Sequence, residues 1–256
     1  MPEHTSFLTY ILAMLPGFRD NARNLGTAIL PPSEHHVDYK GLEPIFASML
    51  VILFVVYLAA TVRSELRHKD SVVPDDTLTT RTFFEAFVGY FYEMAKDVMG
   101  AKSAKRYFPL IGASALFIFF SNSMALLPGM NPPTANLNVT FGCAIFVFIA
   151  FNTWGVKENG WGYLKHLAGP KWYLWWLIFP IECISLIVRP ITLSIRLMMN
   201  MAVDHLVGAI FLGLIALLVP IPLMFLGIIV ILVQTLVFCL LTSIYIGLAT
   251  EHAEHH

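Results

Sequence analysis

The sequence predicts an all-α polytopic membrane protein of five transmembrane helices plus an amphipathic interfacial helix, and three observations carry that expectation. Of 256 residues, 57% are hydrophobic and only 13% charged, too few polar side chains to cover a soluble globule of this length. Five apolar runs are long enough to cross a hydrocarbon core of about 30 Å. Lysine and arginine gather beside alternate ends of those runs, the asymmetry that orients membrane proteins.

The same composition removes other classes. A formal net charge of −1 leaves no electrostatic footprint for nucleic acid. Cys143, Cys183 and Cys239 stand singly in apolar stretches without CxxC spacing, which reads as small apolar packing rather than disulfides or zinc. No cofactor or metal motif is present: His35 and His36 lack further ligands and read as part of a solvated loop. Walker A, HExxH and GxSxG patterns are likewise absent, so neither ATP chemistry nor an intramembrane hydrolase is expected of the chain itself.

Residues 1–44 read as an external N-terminal segment and 45–256 as a single transmembrane domain. The N-terminus lacks the basic region and cleavage site of a secretory signal, and its apolar patch Phe7 to Leu15 is too short to span. The first span, 45–62, is followed at once by Arg63, Arg67 and Lys69, which mark the cytoplasmic side and put the N-terminus outside. Over 80–99, Phe84, Phe87, Val88, Phe91, Met94, Ala95 and Val98 recur at helical spacing opposite Glu85, Gly89, Lys96 and Asp97. That helix is expected to lie along the surface, its apolar face against the membrane interface or a neighbouring helix, with Gly100 as its stop.

The second and third spans, 107–127 and 139–156, form a hairpin about the prolines Pro128, Pro132 and Pro133. Its uncharged polar residues Asn122, Ser123, Asn136, Asn138 and Thr140 read first as helix-to-helix hydrogen bonders, with a water-accessible vestibule as the functional alternative. Residues 172–218 would make a helix of about 70 Å, more than twice the hydrocarbon thickness, so a steeply tilted helix kinked near Pro180 and Pro190 is expected. The last span, 223–250, returns the chain to the cytoplasm. Three basic residues fall outside in this topology (Arg19, Arg23, Lys40), eleven inside and two within the long helix. Residues 251–256 read as a frayed polar tail.

Those two intrahelical arginines define the candidate site. A charge at membrane depth costs from about 3 to well over 10 kcal/mol unless it meets a partner or water. At 100° per residue, Glu182, Ser185, Arg189, Thr192 and Asn200 all fall within about 40° of Arg196. Asp204 lies to one side of this stripe, and His205 lies half a turn away from Arg196 in projection. Two offset polar surfaces separated by an arginine imply ion access from both sides without a through pore. Guanidinium cannot release its proton at physiological pH, yet it attracts a carboxylate and favours its ionised form. The chain supplies no mobile carboxylate of its own, so a partner should.

The stretch RPITLSIRLMMNMAVDHL at 189–206 closely resembles the signature of F-type ATP synthase subunit a. GLEPIF before the first span, LLPGMNPPTANLNVTF in the hairpin and LVQTLVFCLLTSIYIGLATEH in the last helix extend the resemblance in order to the C-terminus. It implies that Arg196 faces the carboxylate of a rotating c-ring, with Gln234 opposite it on the last helix. It places Asn200 and His205 in a half-channel open to the outside, and Glu182 and Ser185 in one open to the cytoplasm. Arg189, on the same face, is either a snorkelling cation or electrostatic support for the rotor contact.

The implied partners are the c-ring of subunit c, the peripheral stalk subunit b, other ATP synthase subunits, the lipid bilayer and a transported proton or sodium ion. The implied location is the bacterial inner membrane. Met198 and Met199 depart from the aromatic and small residues common in the family after the arginine. Asp204 stands where glycine is frequent, and Gly227 where several members carry an ionisable residue. Asp204 with His205 is therefore read as a substitute for an acid and base otherwise divided between two helices. The alternative class is a self-contained secondary ion transporter, which predicts internal repeats; no second copy of the Arg196 region is found.

Overall fold

A computed structural model of the chain describes residues 43–68, 79–127, 130–160, 175–214 and 220–250. The expectations for residues 1–42, the tail and the loop carrying Lys165 and Lys171 lie outside the described residues. The described chain is helical: α1 Glu43–His68, α2 Thr80–Met99, α3 Ala101–Ser123, α4 Leu137–Asn159, α5 Trp175–Leu214 and α6 Pro220–Thr250. Five of the six, all but α2, are long and apolar enough to cross a membrane. Both ends of α1 and α4 and the start of α3 overrun the expected apolar runs, because hydrophobicity marks the part that must avoid water whereas helical hydrogen bonding continues into the flanking polar turns.

The buried face of α2 follows its sequence period, with Phe84, Phe91 and Ala95 buried and Glu85, Gly89 and Asp97 exposed. Protein covers that face. Phe87 lies 5.1 Å from Phe119, Phe84 stacks on Phe120 and Tyr92 meets Phe108 edge-on, so α2 folds back antiparallel along α3. Gly100 makes the turn at φ 80°, ψ 158°, a conformation essentially restricted to glycine, and its amide donates to Lys96 O at 2.9 Å.

On α3, Ala104, Tyr107, Ile111, Ala115 and Ile118 recur at helical spacing and are buried. The α3–α4 hairpin is clamped at its open end, where Arg106 pairs with Glu158, Tyr107 Oη donates to Glu158 Oε1 at 3.3 Å, and Trp154 packs on Tyr107. At the closed end, Pro133–Ala135 forms one 3-10 turn, and the Asn136 side chain accepts the Asn138 amide to cap α4.

The long helix α5 is continuous through both prolines, 40 residues or about 60 Å. Its inward residues Leu193 and Leu197 join Ile111, Ile118, Phe151, Phe238 and Ile246 in the main core. In contrast, α1 is held loosely, with Ala47 and Val51 packed by Met124 and most other large side chains open to the surroundings. Cys239 is buried and the other two cysteines are partly so; none forms a disulfide.

Candidate functional site

The period of α5 sets the site. Leu193, Leu197 and Met201 turn inward, so Arg196 is carried to the outside of the bundle. Beside it, the exposed apolar residues Ile191, Ile195, Met199 and Val203 form a strip at four-residue spacing. Arg196 therefore lies exposed within a segment long and apolar enough to cross a membrane. Thr192, on the same face, turns its hydroxyl back to Val188 O and Arg189 O, both at 3.0 Å.

Contacts between α5 and α6 fix their antiparallel register. Asn200 Nδ2 donates to Gln234 Oε1 at 2.5 Å, joining the exposed arginine face to a glutamine that is only 3% exposed. About one turn further along α5, Asp204 reaches α6 at Gly227: a Cβ added there would lie 3.6 Å from Asp204 Oδ2 and 3.5 Å from Leu126 Cδ2. The carboxylate thus occupies the space into which a side chain at 227 would project. In the other direction, the Arg189 guanidinium lies 5.2 Å from the centre of the Tyr245 ring. Arg189 is therefore held in the seam between α5 and α6 by a cation–π contact.

Asn200, Gln234 and Asp204 consequently follow one another along the α5–α6 seam, with Arg196 one turn before Asn200 on the exposed side of α5. Glu182 and Ser185 are partly buried on the same helix, toward its N-terminal end. His205 belongs to α5, but its side chain lies outside the described residues.

Polar groups at the closed end of the α3–α4 hairpin add to this picture. Thr134 Oγ1 donates to Asn122 Oδ1 at 2.6 Å, and both residues are fully buried. Asn122 Nδ2 and the neighbouring Ser121 Oγ find no hydrogen-bond partner among the described residues. Buried amides and hydroxyls in that condition are sites for ordered water. Leu126, which touches the Gly227 region, lies a turn beyond Asn122, so these groups and Asp204 share one end of the bundle. Asn122 was legible in the sequence as a polar residue; Ser121 and Thr134 gave no signal, because serine and threonine ordinarily bond back to their own helix. Thr242 Oγ1 and Ser243 Oγ on α6 are also buried and without a hydrogen-bond partner among the described residues, close in sequence to Tyr245.

The chain matches the family described as ATP synthase A chain over residues 45–247. It is similar to a protein named ATP synthase subunit a from Sorangium cellulosum (strain So ce56), with 68% identity over 257 residues and 100% of both chains covered. A protein of the same name from Geobacter sulfurreducens is 39% identical over 218 residues, covering 85% of this chain and 92% of that one. Another, from Sulfurihydrogenibium sp. (strain YO3AOP1), is 38% identical over 206 residues, covering 80% and 96%.

Proposed function

The chain belongs to the ATP synthase A chain family, and from that premise we propose that it is the proton-translocating stator subunit of the F0 sector, with Arg196 acting on the carboxylate of a c-ring. Its place is in the bacterial inner membrane, N-terminus outside and C-terminus cytoplasmic, beside the c-ring and the peripheral stalk subunit b. The role is one of ion transfer rather than ATP chemistry. The observation that carries the reading is the position of Arg196, exposed on the outer face of α5 at the edge of an apolar strip, with the Asn200–Gln234 bond behind it.

A rotor carboxylate brought to Arg196 is favoured in its ionised form, so it must release its proton on one side and regain one on the other. Asp204, His205 and Asn200 supply the route from outside, joined by the buried polar groups around Asn122. Glu182 and Ser185 line the route to the cytoplasm, beside Arg189. Arg196 separates the two, since its fixed charge repels a free cation and its own proton is not exchanged. The carboxylate of Asp204 beside Gly227 supports the reading that this acid substitutes for one carried on α6 in other members.

The test uses the assembled synthase in membrane vesicles. Arg196→Ala should abolish proton-driven ATP synthesis while leaving ATP hydrolysis measurable. The purified chain reconstituted without a c-ring should exchange no ions; robust exchange would favour the secondary transporter instead.

A further inference from the structure

The line of α5 that carries Arg196 changes character at the arginine. At about 100° per residue, Glu182, Ser185, Arg189 and Thr192 precede Arg196 within about 40° of it, and every one is polar. Beyond Arg196 the same line holds Asn200 and then Val203, Val207 and Ile210, all three apolar. Val203 stands about 20° from Arg196 and about 10 Å further along the helix axis. Glu182 and Val207 belong to one segment able to cross a membrane, Ile178–Gly208, so the change does not mark a passage from water into hydrocarbon.

The polar groups of the outer half leave this line. Asn200 is turned about 40° toward α6, where its amide donates to Gln234, and Asp204 is turned about 80°, into the space beside Gly227. A lone exposed valine in a membrane-spanning helix is ordinary, since lipid tails are as apolar as its side chain. Val203 differs by its place: it is 49% exposed, shares the face of the exposed Arg196, and is the residue at which the polar line ends. Ile195 is exposed to nearly the same degree, 45%, but stands about 100° from Arg196.

Against a rotor surface, an apolar side chain on this line excludes water, because a narrow apolar constriction does not hold a continuous water column. Resting on the reading of the chain as a stator subunit, we propose that Val203 is a seal on the rotor-facing side of α5, outward of Arg196. With the seal in place, water from outside reaches the rotor carboxylate only through the α5–α6 seam, by Asp204 and Asn200. Without it, outer water runs along the line to Arg196, and the inner polar groups begin at Thr192, about 6 Å beyond that arginine. Val203 transfers no proton; it is a positioning residue that keeps two water-accessible regions apart.

The test uses the assembled synthase in inverted membrane vesicles and reads the ATP-driven proton gradient against the rate of ATP hydrolysis. Val203→Ser and Val203→Asn should each lower the steady gradient at an undiminished hydrolysis rate, whereas Val203→Leu should keep full coupling. Val203 lies outside the core, so these variants leave the packing of Leu193, Leu197 and Met201 intact. Ile195→Asn, similarly exposed but off the line, should stay as coupled as the unaltered protein. Full coupling in an assembled polar variant at 203 overturns the seal, as does an equal loss of gradient in Ile195→Asn. Arg196→Ala separates this outcome from the reading beneath it. If that variant loses proton-driven synthesis while Val203→Asn stays coupled, the seal alone fails; if it keeps synthesis, the stator reading fails.

Discussion

Asp204 and Gly227 form a complementary pair: an acid on one helix and the absence of a side chain on the next. If the acid matters by its location in space, its helix of origin can be exchanged. Asp204→Gly should reduce proton-driven synthesis by about 10² to 10⁴-fold, the usual scale for losing a proton-transfer group. Adding Gly227→Asp should recover part of that loss, because the new carboxylate projects into the vacated space; vesicle ATP synthesis reads both variants. No recovery, with both proteins assembled, would argue that the backbone of α5 matters more than the carboxylate. The Asn200–Gln234 bond calls for a different measurement. Hydrogen bonds between membrane helices contribute about 0.6 kcal/mol on average and up to about 1.7. A double-mutant cycle with Asn200→Leu and Gln234→Leu, followed by unfolding in detergent, should give a coupling energy in that range. Gln234→Leu alone should also impair synthesis if the bond orients the Arg196 face.

At the scale of elements, periodicity gave the α2 boundaries, 80–99, and its buried face, because amphipathic spacing survives in any surroundings. It did not give the object facing that apolar stripe, since a membrane interface and the aromatic side of α3 demand the same residues. Similarly, Arg189 and Gln234 stood out as polar groups in apolar helices, but pairing Arg189 with Tyr245 requires the α5–α6 register, which no single helix contains. Tyr245→Phe should preserve that contact and Tyr245→Leu should remove it, with a difference of about 0.5–2 kcal/mol in unfolding free energy in detergent. The α2–α3 hairpin makes a separable prediction. A Cβ at Gly100 would meet no atom of the other described residues within 4 Å, so Gly100→Ala tests backbone conformation. It should destabilise the chain by about 1–3 kcal/mol, seen as a lower thermal midpoint in detergent.

Among the described residues, the polar groups of α5 are spread along the length of the helix from Glu182 to Asp204. Ser185 and Asp204 are about 28 Å apart along α5, close to the thickness of a hydrocarbon core, with Arg196 between them. Leu193 and Leu197, alternating with the arginine, belong to the apolar core and offer water no path along the helix's inner side. Water entering from either membrane surface should therefore reach one polar group and stop short of the other. In a variant with Cys143, Cys183 and Cys239 replaced by alanine and assembled into the synthase, single cysteines at Ser185 and Asp204 make this measurable. A membrane-impermeant thiol reagent should label Asp204→Cys only in right-side-out vesicles and Ser185→Cys only in inverted ones. Leu197→Cys should remain unlabelled from both sides, since the core encloses that position. Labelling of Ser185→Cys and Asp204→Cys from the same side would indicate one continuous vestibule, and rotation would then be unnecessary for ions to pass between the two groups. Opposite-sided labelling leaves a moving external carboxylate as the carrier across the Arg196 region, which is what links ion flow to turning a rotor.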